Sequence, residues 1–266
     1  MTPPEHLLMG TLVANSAYAV RVMKGKNMPS YGALLIAGAL CAVLPDIDSF
    51  FRHYGSANPW VGHRGMTHSL LWCLLQGSVI AYILYRTGIK GRAGSLVPAG
   101  VGDEKKSAFL FLFVTALAAS VSHVVADLPQ PASVWHGIPV FFPLTVNGEY
   151  LRSGGWGRIG WYDFKIMIHL FLTALVTGGL CAALGAAGRS MSRPVKGFIG
   201  GLVLVMGLGS FIWTGYYIST CSYTSAEHWE QYQEEVLLSY PDGVRRIIIG
   251  GRRVLYDMFV YMRRHF

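Results

Sequence analysis

The sequence contains few charged residues. Asp, Glu, Lys and Arg account for 14% of the 266 residues, while 52% are hydrophobic. Soluble domains carry about 25% charged residues, so a deficit of this size is expected for a chain whose surface faces lipid. The composition therefore argues against an ordinary soluble domain and favours an integral membrane protein.

Several familiar motifs are also missing. The four cysteines form no CxxC pair, so neither a thiolate zinc site nor a disulfide framework is predicted. There is no HExxH, GxSxG or glycine-rich phosphate loop, which argues against a zincin-type metalloprotease, an esterase elbow and a nucleotide-binding loop. The net charge is +8, but no DNA- or RNA-binding motif occurs, so we expect no nucleic-acid partner.

The chain does contain hydrophobic runs of the length that spans a bilayer, about 20 residues. Four runs are clear, and two near the N-terminus are weaker because they are short or contain polar residues. The six runs are residues 7–22, 31–44, 69–85, 108–125, 166–187 and 198–218. We predict six spans, within a range of four to six, and hence an all-α, polytopic transmembrane helical bundle formed by residues 1–218.

The distribution of positive charge predicts an orientation for these spans. The first, third and fifth connections carry eleven Lys and Arg residues, against five in the second and fourth. The positive-inside rule places the first group in the cytoplasm and the second outside. Residues 219–266 form a basic C-terminal tail, in which 244–266 alternate apolar and basic groups. This pattern predicts an amphipathic helix in the membrane interface, or indicates that the span count is off by one.

Histidines and aspartates gather at the ends of the predicted spans. Ionisable groups beside a bilayer are costly and mark functional sites, and imidazole and carboxylate are ligands for divalent metals. The candidate metal ligands are His6, Asp46, Asp48, His63, His68, His123 and Asp127. With six spans, all seven fall on the outer face, so the sequence predicts a metal site on one face of the bundle.

Residues 45–48, Pro-Asp-Ile-Asp, follow the second span. In an extended turn Asp46 and Asp48 would point the same way, whereas in a helix they would diverge. The alternative to a metal role is an Asx turn or a helix cap.

Residues 63–69, His-Arg-Gly-Met-Thr-His-Ser, lead into the third span. Gly65 permits a bend that could bring His63 back toward His68. Arg64 offers a planar fork suited to phosphate or carboxylate. The alternative is a pair of interfacial histidines beside an arginine whose side chain reaches the membrane surface.

His123 and Asp127 end the fourth span four residues apart, so they share one helix face. Both could bind one ion, or Asp127 could orient a histidine ligand. A buried His–Asp pair that satisfies its own hydrogen bonds is the alternative.

These motifs resemble those of the YdjM-type family of membrane-bound, metal-dependent hydrolases. The resemblance covers about the first two-thirds of the chain and is carried by five elements. They are His6 with Gly10, residues 44–48, residues 63–69, His123 with Asp127, and residues 141–144. It implies a helical inner-membrane protein. The family is distantly similar to zinc-dependent phospholipase C and related nucleases, which implies phosphoester chemistry.

Our leading hypothesis is a metal-dependent hydrolase of a lipid or lipid-linked substrate, most readily a phosphoester, that uses metal-activated water. Zinc is the expected metal, and manganese or iron would also fit. Asp48 is the candidate base and Arg64 the candidate group that steadies the phosphate. The substrate would enter from the outer leaflet. Oligomeric state is not indicated by the sequence.

Three alternatives remain open. A non-catalytic membrane protein could use a structural metal or a His–Asp hydrogen-bond network, in which case all coordination positions would be filled by protein. A transporter would need polar residues through the midplane, and few are present. An amide or peptide hydrolase is the third alternative, since Arg64 alone favours phosphate over a carbonyl substrate.

Overall fold

A computed structural model describes residues 3–24, 29–51, 65–89, 103–127, 140, 164–187 and 190–220. These residues form six α-helices and two 3₁₀ helices, with no strand among them. The α-helices are α1 (Pro3–Lys24), α2 (Tyr31–Val43), α3 (Leu70–Ile89), α4 (Asp103–Asp127), α5 (Phe164–Ala187) and α6 (Arg193–Thr220). The 3₁₀ helices are Leu44–Phe51 and Met66–His68. The all-α prediction is confirmed.

Five helical segments are long and apolar enough to cross a membrane. They are Tyr31–Asp48, Leu70–Thr87, Lys106–Asp127, Ile166–Ala187 and Arg193–Tyr217. The predicted polytopic transmembrane bundle is therefore confirmed. The chain divides into two units, Met1–Ser222 and Tyr223–Phe266, and every described residue lies in the first. The predicted amphipathic tail lies outside the described residues.

Successive helices alternate in direction, so the bundle has two ends that the packing distinguishes. At one end, Met9 and Leu12 of α1 pack with Ala126 near the end of α4 and Ile166 at the start of α5. The starts of α1, α3 and α5 thus share this end with the ends of α2, α4 and α6. All predicted ligands that the structure describes belong to segments at this end, which we call the ligand end. Its placement outside the cytoplasm stays a prediction from the charge count.

Helix α1 occupies the interior of the bundle, in contact with α2, α4, α5 and α6. Its crossing with α2 is close because Gly10 and Gly38 face each other there. A Cβ at Gly10 would collide with the Gly38 carbonyl oxygen and lie 2.6 Å from Ala42 Cβ. Small residues permit such backbone approach in membrane helices, and this one brings the start of α1 beside the end of α2.

The outward faces of α3, α5 and α6 are apolar and exposed, as expected where helices meet lipid. On α3 the exposed side chains include Leu71, Leu74 and Leu75, all within two turns of its start. Ser69 caps that helix, since its Oγ accepts the Trp72 N–H at 3.1 Å. The α3 surface next to the ligand end is therefore hydrophobic.

Candidate metal centre

Four side chains converge at the ligand end and form a group that we call the metal centre. Its members come from three parts of the chain: Asp46 from the first 3₁₀ helix, His68 from the second, and His123 and Asp127 from the last turns of α4. All four are buried, with exposed fractions of 7% or less. One donor atom from each residue lies within 4.8 Å of the other three.

Five distances between these atoms are close to those between the ligands of a single metal ion. The Nε2 atoms of His68 and His123 are 3.1 Å apart. Asp46 Oδ1 lies 3.6 Å from His68 Nε2 and 3.5 Å from His123 Nε2, and Asp127 Oδ2 lies 3.5 and 3.7 Å from the same two atoms. Metal–ligand bonds of about 2.0–2.2 Å place tetrahedral ligands about 3.3–3.5 Å apart.

The other nitrogen of each histidine fixes its tautomer. His123 Nδ1 lies 2.6 Å from the Ala42 carbonyl oxygen, which can only accept, so Nδ1 carries the proton. His68 Nδ1 lies 3.2 Å from Asp48 Oδ2, again an acceptor. In the neutral rings both Nε2 atoms then present lone pairs to the centre. Metal-ligating histidines are oriented in this way by carboxylates and carbonyls.

Four lone-pair donors therefore face one another, and a cation would satisfy them together. Burial alone would lower the pKa of His68, but the carboxylates of Asp127, Asp46 and Asp48 outweigh burial and raise that pKa well above its usual range. The carboxylates thus favour a positive charge at this position. The residues present fit a divalent ion.

The first 3₁₀ helix explains why the two aspartates of residues 45–48 have different neighbours. With three residues per turn, positions two apart point in different directions. Asp46 faces the Nε2 side of His68, and Asp48 faces its Nδ1 side. Of the two geometries that the sequence left open, the structure shows the helical one, and His68 is held between the two carboxylates.

His6 lies at the edge of the metal centre and is fully buried. Its ring stacks on that of His123, with centroids 3.6 Å apart and planes inclined by 23°. Its Nε2 lies 3.2 Å from Asp127 Oδ1 and 4.0 Å from Asp46 Oδ2. The structure thus places His6 against the same two aspartates, but on oxygens other than those that face His68 and His123.

The structure brings together six of the sequence-derived candidates: His6, Asp46, Asp48, His68, His123 and Asp127. His63 and Arg64 lie outside the described residues, so their roles stay predictions.

Three further groups were not selected from the sequence. The Thr67 hydroxyl hydrogen-bonds Asp48 Oδ2 and lies 3.1 Å from His68 Nδ1. The Ala42 carbonyl holds His123, and a backbone carbonyl carries no sequence signal. Glu5 is 1% exposed beside His6, and its signal would have been a carboxylate just before the first predicted span.

Comparison with known proteins identifies the family of the chain. Neither curated proteins nor solved structures match the chain. A family model described as YdjM inner membrane protein matches residues 1–218. That range contains the whole metal centre and every described helix except the last two residues of α6. With five membrane-spanning segments and a match over most of its length, the chain is an integral inner-membrane protein that belongs to the YdjM family.

Proposed function

We propose that this protein is a metal-dependent hydrolase that cleaves a phosphoester in a lipid or lipid-linked substrate at the membrane surface. The observation that carries the proposal is the convergence of four buried lone-pair donors whose histidine tautomers are fixed by other groups. Asp46, His68, His123 and Asp127 would hold a divalent ion, with zinc first and manganese or iron as alternatives. When bound, such an ion supplies Lewis-acid activation of water and of the phosphoryl group.

The side chains around the ion have separate tasks. Asp48 and the Ala42 carbonyl hold the two rings so that Nε2 points inward. Thr67 steadies Asp48 through its hydroxyl. The geometry supports a positioning role for Asp48, and its role as general base remains our proposal from the sequence. Arg64, which directly precedes the described Gly65, is the proposed phosphate ligand.

The surroundings favour a lipid-linked substrate over a free metabolite. The second 3₁₀ helix carries His68 and is separated from α3 by one residue. Exposed leucines begin at the first turn of α3. A substrate with its chains against that face would have its head group at the level of the metal centre. A lateral route from the bilayer therefore fits the arrangement.

A second candidate is a non-catalytic protein in which the ion clamps the helix ends together. One observation favours it: four protein donors complete the shell of tetrahedral zinc and leave no open position. An ion that accepts six ligands, such as manganese, would leave two positions for non-protein ligands. The identity of the bound metal thus bears directly on the choice between the two functions.

The test uses the full chain, purified in detergent and reconstituted into vesicles. Metal content, thermal unfolding and release of phosphate or head group would be measured with phospholipid vesicles and with a polyprenyl diphosphate. His68→Ala would be compared with wild type, and His169→Phe is the matched control, because His169 lies on α5 and bonds Ser210 instead.

We expect metal-dependent release that His68→Ala reduces by at least 100-fold and His169→Phe preserves. Binding of metal with a large gain in thermal stability, but without release from either substrate class, would favour the structural clamp. Wild-type protein that takes up no divalent ion would refute both candidates.

A further inference from the structure

Only one carboxylate oxygen of Asp46 and one of Asp127 face the two histidines of the metal centre. Asp46 Oδ1 and Asp127 Oδ2 face the two histidine Nε2 atoms. Their partner oxygens, Asp46 Oδ2 and Asp127 Oδ1, lie 4.0 and 3.2 Å from His6 Nε2. Each carboxylate therefore has one oxygen on each side, as a bridging ligand between two ions would.

His6 has no other evident use for its ring nitrogens. It is 0% exposed, and neither nitrogen makes a hydrogen bond with any residue that the structure describes. The approach of Nε2 to Asp127 Oδ1 is short but does not have hydrogen-bond geometry. A buried imidazole without hydrogen bonds is unfavourable, and such groups call for a ligand, an ion or another specific explanation.

The stacking of His6 on His123 sets the distance between the two sides of the aspartate pair. The rings are nearly parallel with centroids 3.6 Å apart, and both Nε2 atoms approach Asp46 and Asp127. Ions bound at the ends of two such rings would be separated by about the stacking distance. Two-metal hydrolytic sites hold their ions about 3.5–4 Å apart.

We propose that His6 Nε2, Asp46 Oδ2 and Asp127 Oδ1 bind a second divalent cation, with the two aspartates bridging it to the first. The inference rests on the metal centre of the proposed function. The first position has four protein donors, and the second has three. Three protein ligands and an open position are typical of catalytic metals, so the second ion would carry the site for a phosphoryl oxygen or water.

The pair also fits the proposed chemistry. Two ions at this separation clamp both the attacking and the leaving oxygen of an in-line displacement at phosphorus, and similar pairs serve aminopeptidases. This arrangement is compatible with a phosphoester substrate. A second ion with an open position also reconciles a catalytic role with a first ion whose four ligands all come from the protein.

The test measures metal stoichiometry rather than activity. The full chain in detergent is stripped with a chelator, loaded with manganese and freed of excess ion by gel filtration. Manganese is then measured by mass spectrometry and protein by amino-acid analysis. The variant is His6→Phe, which keeps a ring on His123 but has no donor atom. His169→Phe is the matched control because His169 also packs against an aromatic ring, that of Trp213.

We expect about two ions per chain in wild type and in His169→Phe, and about one in His6→Phe. One ion in both wild type and His6→Phe would overturn the second position and leave the proposed function intact. Two ions in both would also overturn it, since the second ion would bind elsewhere. No ion in any protein would refute the metal centre itself, and the proposed function with it.

The wild-type protein provides a test that does not depend on the folding of a variant. Two manganese ions bridged by carboxylates give an exchange-coupled electron paramagnetic resonance spectrum, whereas isolated ions give a simple hyperfine pattern. A coupled spectrum in fully loaded wild type would support the pair. An uncoupled spectrum at full loading would overturn it.

Discussion

Two of the regions where polar side chains meet in this bundle treat those side chains differently. Deeper in the bundle, Asn15, Tyr31 and Thr177 form a group that we call the Asn15 cluster. Asn15 Nδ2 donates to Thr177 Oγ1 at 2.8 Å and to the Ala174 carbonyl at 3.3 Å, while the Tyr31 hydroxyl donates to Asn15 Oδ1 at 2.7 Å. Each donor finds an acceptor, so the Asn15 cluster is complete without any other molecule.

The polar groups of the metal centre are arranged differently from those of the Asn15 cluster. Its two Nε2 atoms and two carboxylate oxygens all offer lone pairs to one point. A polar group in a membrane protein must find partners inside the protein or in a bound ligand, and a cation would supply the partner that this set shares. The comparison distinguishes polar residues that join helices by hydrogen bonds from polar residues whose arrangement suits ligand binding.

Helix α1 takes part in both regions, which accounts for its unusual sequence. It supplies His6 to the ligand end and Asn15 to the Asn15 cluster, and both side chains are fully buried. Because α1 is surrounded by other helices, it needs no continuous lipid-facing stripe. It is the one described α-helix that lies outside the five segments apolar enough to span a membrane.

The largest effect is expected where α1 and α2 cross, because that contact serves both regions. Gly10→Ala would place a methyl group against the Gly38 backbone. We expect a loss of roughly 1–3 kcal/mol in unfolding free energy from overpacking, together with loss of the second ion because His6 moves away from Asp46. Thermal unfolding and metal content check both effects.

Gly209→Ala on α6 is the control for this change, since an added Cβ there meets no atom within 4 Å. It should leave metal content unchanged and raise stability slightly, by up to about 1 kcal/mol. If Gly10→Ala bound metal and unfolded like wild type, the close crossing would not position the metal centre.

A smaller effect is expected from Asp48→Asn, which tests whether the metal centre depends on its supporting groups. The amide is similar in size but removes the negative charge beside His68 Nδ1. Loss of such an outer partner typically lowers metal affinity about 10–100-fold. Competition with a chromogenic chelator measures this affinity. An unchanged dissociation constant would show that Asp48 does not orient His68.

The sequence predicted the helices better than the details of the site. Long apolar runs located α3 to α6, and weaker runs located α1 and α2, because helices in lipid must be apolar and satisfy their own backbone. The different neighbours of Asp46 and Asp48 could not be predicted, since the local sequence fits an extended turn as well as a 3₁₀ helix. The stacking of His6 on His123 could not be predicted either, because it joins the start of α1 to the end of α4, which are far apart in sequence.

The smallest effect is expected for Asn15→Leu. This variant tests whether the Asn15 cluster and the metal centre are independent. This change removes the hydrogen bonds that Asn15 makes in the Asn15 cluster. The Thr177 hydroxyl keeps its bond to the Thr173 carbonyl, whereas the partly buried Tyr31 hydroxyl loses its acceptor. Hydrogen bonds between membrane helices contribute about 0.6 kcal/mol on average and at most about 1.7, so we expect a loss of about 1 kcal/mol in stability with full metal content. Thr11→Ala on the same helix removes a hydroxyl that bonds only its own backbone, to the Leu7 carbonyl, and should change neither quantity. If Asn15→Leu instead released the metal, the Asn15 cluster would be coupled to the metal centre, and the division of α1 into a fastening part and a ligand-binding part would fail.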